Sequence, residues 1–211
     1  MIAVKNKITV VRRTTESEIA VCIQKGRLAE DYRKQIKTPL PFLNHMIEHI
    51  AWRAALNICI DLKLDEFELV HLVCEDVGMT FGRAVGEFVR QNVPSGYGAG
   101  IGIIDEAQAS AALSFEDRAL FDFTSAVSYA EQVEGMPSEE LLTFLDGFAQ
   151  GARCTLHVDL KKGANGHHIW EAVYRAVGIA LGAALEMDAG REGMTAGVAG
   201  KVTYEVQSES V

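Results

Sequence analysis

Two stretches of the chain carry the same residues in the same order. Glu75, Val77, Gly82, Ala84 and Gly86 recur as Glu171, Val173, Gly178, Ala180 and Gly182, an offset of 96. Asn57–Leu62 (NICIDL) recurs as Thr155–Leu160 (TLHVDL) at an offset of 98, and His71 stands opposite His167. A period this long is not that of a solenoid, whose units run about 20–50 residues. It calls for a duplicated α/β unit, each copy a sheet covered on one face by helices. The 211 residues then divide into half-repeats 1–98 and 99–211, joined in one compact domain. Only four prolines occur, and no low-complexity linker separates the halves.

Local patterning assigns the elements. ITVVRRTTESEIAVCIQKG alternates apolar and polar residues on either side of TTES and reads as strands continuing into YRKQIKT. Phe42–Leu56 (FLNHMIEHIAWRAAL) has helical apolar spacing. NICIDLKL and EFELVHL read as strands, and CEDVGMTFGRAVGEFV as a helix. In the second half Ser138 with its acidic pair marks a helix start, then CTLHVDLKK forms a strand and the segment after GANG a helix. The Gly-rich SGYGAGIG lacks the strand–helix context of a dinucleotide loop and reads as a flexible connection between halves.

Composition narrows function mostly by exclusion. A net charge of −9 argues against a general nucleic-acid binder. No long charge-free apolar run predicts a membrane span, and MIAVKNKITVVRRTTE is too broken by charge for a leader or anchor. Cys22, Cys59, Cys74 and Cys154 have no CxxC spacing and read as reduced thiols of a cytoplasmic protein.

The chemistry concentrates at Gly163–Leu185, where His167 and His168 precede Glu171. On a helix His167 and Glu171 share a face at i, i+4, and an imidazole and a carboxylate so placed can hold one first-row metal ion. His168 points about 100° away. His49 reads as a helix-surface or locally bonded residue, His157 as a structural histidine, Cys74 as buried, and Trp52 and Trp170 as core.

Several blocks in order resemble the imidazoleglycerol-phosphate dehydratase family: RTTESEI, TPLPFLNHM, IIDEAQ, ALSFEDR and, most specifically, LTFLDGFAQGARCTLHVDLKKGANGHHIWEAVYRAVGIAL. The resemblance implies an α+β fold of duplicated, ferredoxin-like halves, each a four-stranded sheet backed by helices. It implies a lyase of histidine biosynthesis with two manganese ions, or a similar divalent metal, held by histidines and glutamates. It further implies a small, anionic substrate and a homo-oligomer, a 24-mer in the family, with sites between subunits.

By that resemblance His45, His71, Glu75, His167, His168 and Glu171 are the expected metal ligands. Glu16, Asp105 and Glu171 are the expected proton-transfer groups, with Glu106 completing the D-E pair, and Arg53, Arg118 and Arg175 the expected substrate grip. The pattern is incomplete. Leu72 and Thr143 stand where the family has histidine, Arg53 replaces another histidine, Asn44 replaces an aspartate, and MTAGVAG lacks the phosphate-binding lysine. Pseudo-symmetry groups His45, His71, Glu75 and His168 as one full site, and His167 and Glu171 with Thr143 and Leu72 as a dismantled one. Convergence of the three arginines on the metal would mean that an anionic substrate survives; if they point away, the dehydratase reading fails. The alternatives are a paralogue with another small substrate, or a non-catalytic metal-binding oligomer.

Overall fold

The computed structural model describes residues 6–66, 68–191 and 194–208. Residues 1–5, the start of the segment read as carrying no leader, lie outside them. The first half runs β1 (Lys7–Arg13), β2 (Ser17–Lys25), α1 (Tyr32–Gln35), α2 (Pro41–Ala54), β3 (Leu56–Leu64) and α3 (Val70–Asn92). The second runs β4 (Tyr97–Ile104), β5 (Ala107–Ser114), β6 (Leu120–Ser125), the short pair β7 (Gln132–Val133) and β8 (Met136–Pro137), α4 (Ser138–Ala152), β9 (Thr155–Lys162) and α5 (Gly166–Ala184).

The sheets are β1-β2-β3, all antiparallel, and β4-β5-β9-β6, in which β6 and β9 are parallel across α4. The α+β class and the duplication are as expected, but among the described residues the first sheet has three strands, not four. The segment YRKQIKT that was to continue the sheet contains α1 instead. Its Tyr-Arg-Lys-Gln run offers no alternating apolar face, and Ile36 is the buried residue that follows it. EFELVHL is not a strand either: α3 begins at Val70 and takes His71 into its first turn.

Both sheets turn their apolar faces inward, as Ile19, Val21 and Ile23 of β2 and Leu156, Val158 and Leu160 of β9 show. Between the sheets the helices pair across the halves, α2 with α5 and α3 with α4. The repeated glycines make this approach possible. A Cβ on Gly82 would lie 2.1 Å from the Phe148 carbonyl oxygen of α4, and one on Gly178 would lie 2.9 Å from Arg53 Cβ and Ile50 Cα of α2. SGYGAGIG is an ordered strand rather than a flexible connection. Gly98 and Gly102 of β4 face α5, where a Cβ would meet the Ala180 and Ala172 carbonyl oxygens at 2.0 Å.

Candidate metal centre

Cross-pairing of the helices sets the site. In the first half α2 carries His45, and in the second α5 carries His167 and Glu171; the α2–α5 seam brings them together. Their ligand atoms lie within 4.8 Å of one another, the one such group of three among the described residues. His167 Nε2 is 3.4 Å and His45 Nε2 3.9 Å from Glu171 Oε2. Glu171 is 5 % exposed and its other oxygen is gripped by Arg175, whose Nη1 donates to the Ile103 carbonyl at 2.7 Å.

Within one chain His45 lies with His167 and Glu171, and not with His71 and Glu75, with which pseudo-symmetry groups it. His71 and Glu75 face α4, where Glu140 approaches His71 and a Cβ on Gly147 would reach the Glu75 carbonyl at 2.6 Å. Thr143 shares that α4 face by helical spacing. Its loss therefore falls on the His71–Glu75 side.

The α5 terminus is held by polar contacts that sequence alone did not reveal. Asn165 caps the helix, its side-chain oxygen accepting from the His167 and His168 backbone N–H groups at 2.9 and 3.3 Å. Glu106, in the two-residue turn between β4 and β5, accepts from the Ala164 and Asn165 N–H groups at 3.1 and 2.8 Å and meets His168 Nδ1 at 2.9 Å. The Asn165 N–H first, then His168, hold the Glu106 carboxyl down to about 2, and Glu106 in turn raises the pKa of His168. Asp105 lies 3.8 Å from His168 Nε2 and is exposed.

Each of the four expected histidine ligands has a carboxylate on Nδ1: Glu48 for His45 at 3.4 Å, Glu140 for His71 at 3.1 Å, Glu134 for His167 at 3.0 Å and Glu106 for His168. A carboxylate accepts, so it favours the Nδ1–H tautomer and leaves the Nε2 lone pair for a metal. Asn44 takes no part in this, because its side chain binds Thr38. Glu48, which Arg33 clamps through two nitrogens at 3.0 and 2.7 Å, supplies the carboxylate for His45 instead.

His49, read from the sequence as a helix-surface or locally bonded residue, bonds locally and lies beside the cluster. It is one turn beyond His45, 3.3 Å from it between Nε2 atoms and 3.2 Å from Glu171 Oε1. Burial pushes its pKa down to about 4. The i, i+4 spacing with His45 was the available clue.

The remaining candidates scatter. Glu16 is exposed in the β1–β2 turn, where its neighbour Ser17 donates to Asp76 of α3 at 2.9 Å. Arg53 lies further along α2, its Cβ over Gly178. Arg118 is bound through its carbonyl to Thr155 at the start of β9, roughly 25 Å from the α5 terminus by strand rise. MTAGVAG also lies away from the trio and lines a cavity of about 580 Å³ with Arg83, Arg90, Arg153 and Lys201. Of the three arginines, Arg175 alone contacts the cluster. Cys74 is buried, as expected, with a thiol pKa raised by desolvation. Trp170 is core and donates to Ser138 Oγ at 3.1 Å, whereas Trp52, expected in the core, is 58 % exposed beside Tyr32. His157 is on the exposed sheet face, 3.5 Å from Asp122.

A profile of the family described as "Imidazoleglycerol-phosphate dehydratase" matches residues 38–181, which hold the whole trio. The chain belongs to the imidazoleglycerol-phosphate dehydratase family. It is 34% identical over 181 residues to the imidazoleglycerol-phosphate dehydratase of Burkholderia pseudomallei (strain 1710b), covering 85% of this chain and 90% of that one. The Burkholderia cenocepacia (strain HI2424) protein of the same name is 33% identical over the same shares. Among solved structures, the Staphylococcus aureus family member superposes with a TM-score of 0.73 at 26% identity, covering 86% of this chain and 99% of that chain. The Pyrococcus furiosus member, solved in complex with (S)-C348, gives 0.71 at 29% identity, covering 85% and 95%.

Proposed function

We propose that the chain is a metal-dependent dehydratase, a hydro-lyase of histidine biosynthesis acting on imidazoleglycerol phosphate. Its two half-repeats, 1–98 and 99–211, jointly build the site, and His45, His167 and Glu171 hold manganese or a similar divalent ion. Family membership supports the reaction class. The observation that carries the metal reading is the pairing of His45 and His167 with carboxylates on Nδ1, which leaves their Nε2 lone pairs free beside Glu171, all three donors within 4.8 Å of one another.

When bound, the ion supplies Lewis-acid charge that lowers the pKa of a ring nitrogen. Glu171 serves as a ligand, not as a free acid or base, because Arg175 and the imidazoles occupy both of its oxygens. Asp105 and Glu16, both exposed, are the proton-transfer candidates. His168 faces outward on the Glu106 carboxylate and offers Nε2 to a second copy of the chain. Arg118 and the basic cavity at the other end of the chain reach a trio only in a homo-oligomer. No helix of the described residues is long and apolar enough to cross a membrane. The four free cysteines suit a cytoplasmic location.

The test is an assay with imidazoleglycerol phosphate and Mn(II), with and without chelator. Turnover that chelation abolishes and metal restores is expected. Turnover indifferent to chelation refutes the metal reading, and no turnover with metal bound refutes the substrate. In that second case a paralogue acting on a substrate without phosphate is favoured, since Arg175 is already engaged by Glu171 and Ile103.

A further inference from the structure

We propose that Ser17 and Asp76 are positioning residues: their hydrogen bond fixes the β1–β2 turn on α3 and so holds Glu16 at a set place relative to Glu75. This role rests on the reading of Glu16 as a proton-transfer group, and it falls to two residues outside the expected site. Ser17 Oγ donates to Asp76 Oδ2 at 2.9 Å, and Arg12 Nη1 donates to the same oxygen at 2.5 Å. Ser17 is 6% and Asp76 5% exposed, so the contact is shielded from water. Asp76 lies about 100° around α3 from Glu75, on the side that packs against β1 and β2. Its hydrogen bond therefore joins the residue after Glu16 to the residue after Glu75.

The turn itself is tied down on its backbone. Thr14 Oγ1 accepts from the Glu16 N–H at 3.1 Å and the Ser17 N–H at 3.0 Å. The Asp65 N–H donates to the Glu16 carbonyl at 3.0 Å, and the Thr14 N–H to the Ser17 carbonyl at 2.9 Å. Glu16 is thus held at both backbone groups while its side chain stays exposed. An exposed carboxylate on a fixed backbone is what proton transfer to a bound substrate requires. The second half repeats the device with other atoms. Asp105, the other proton-transfer candidate, is followed by Glu106, which binds the Ala164 and Asn165 N–H groups and His168 at the start of α5. In each half, the residue after the candidate ties a hairpin turn to the helix that carries a histidine–glutamate pair.

The experiment measures turnover of imidazoleglycerol phosphate with Mn(II) by the full-length protein. It compares wild type with Ser17→Ala, Ser17→Thr, Asp76→Ala, Glu16→Gln and the double variant E16Q/S17A. S17A should lower kcat by about 10- to 100-fold with KM within about twofold of wild type. D76A removes the acceptor instead of the donor and should give the same split, whereas S17T keeps the hydroxyl and should recover most of the rate. In the E16Q background S17A should cost nothing further, because no carboxylate remains to be placed. Circular dichroism checks that each variant is folded. Thr14→Val, which removes the hydroxyl that accepts from Glu16 and Ser17, repeats the test if S17A is not. A wild-type kcat in S17A beside an impaired E16Q overturns the role of Ser17 and Asp76 and leaves that of Glu16 standing. An equal further loss in the double variant marks a general structural defect and overturns it as well. E16Q as fast as wild type overturns the reading of Glu16, and an inactive wild type overturns the dehydratase reading beneath both.

Discussion

Replacing Gly82 with alanine sets two physical effects of opposite sign against each other. On an exposed helix the change stabilises by about 1 kcal/mol, because glycine gives up more backbone freedom. At Gly82 the new Cβ would lie 2.1 Å from the Phe148 carbonyl oxygen and 2.8 Å from the Ala152 nitrogen, both backbone atoms that cannot rotate away. To reach ordinary contact α3 and α4 must part by roughly 1 Å. A gap of that size forfeits a quarter to a half of the dispersion along the seam, and overpacking of this kind costs about 1–3 kcal/mol. Set against the propensity gain, the net is a loss of about 1 kcal/mol, or roughly 2–4 °C in Tm for a chain of this size. Gly178→Ala meets its neighbours at 2.9 Å and should lose less, but it spreads the seam that carries His45, His167 and Glu171. Thermal melting of the two variants beside wild type decides the matter. A G82A protein as stable as wild type, or more so, would refute the close-packing account of the repeated glycines.

Three further outcomes follow from the site. Glu134→Gln and Glu48→Gln each remove a carboxylate from a histidine Nδ1 and should weaken metal binding by about 10- to 100-fold, read by titration with Mn(II); unchanged affinity would show that these contacts do not orient the ligands. Glu106→Gln should return the raised pKa of His168 toward the ordinary imidazole value, followed by NMR of the metal-free protein. Because the folded-state pKa of Glu106 is depressed to about 2, its stabilisation is fully present above the ordinary carboxylate pKa and is lost as pH falls toward 2. The Tm difference between wild type and E106Q should therefore shrink from about pH 4.5 downward. Glu171→Ala strands the largely buried Arg175 guanidinium and should cost about 3–5 kcal/mol, measured by urea unfolding; a loss below 1 kcal/mol would show that Arg175 finds water instead.

Much of this arrangement was legible in the sequence, for reasons that also mark its limits. The repeat shows which residues are equivalent, and the HHxxE spacing places His167 and Glu171 on one helical face. Equivalence does not say which helix of one half packs on which helix of the other, so the meeting of His45 with His167 and Glu171 was not legible from it. The pairing follows from contacts between residues far apart in sequence, such as Gly178 over Arg53. The supporting carboxylates were hidden in the same way. Glu134 and Glu140 reach their histidines across 33 and 69 residues, and only Glu48 at i+3 had a local signature. In SGYGAGIG glycine suggested flexibility, yet the alternation of Gly98, Gly100 and Gly102 is a strand period that lets β4 lie against α5. The expected fourth strand of the first sheet failed because YRKQ has no apolar residue after Tyr32 and so no alternating apolar face, a feature that its position after β2 obscured.

The most direct test of the account is where the metal sits. Crystals of the Mn(II)-loaded chain, measured at the manganese absorption edge, should show an anomalous peak in the α2–α5 seam between His45, His167 and Glu171. A peak at His71 and Glu75 with the seam vacant would contradict it.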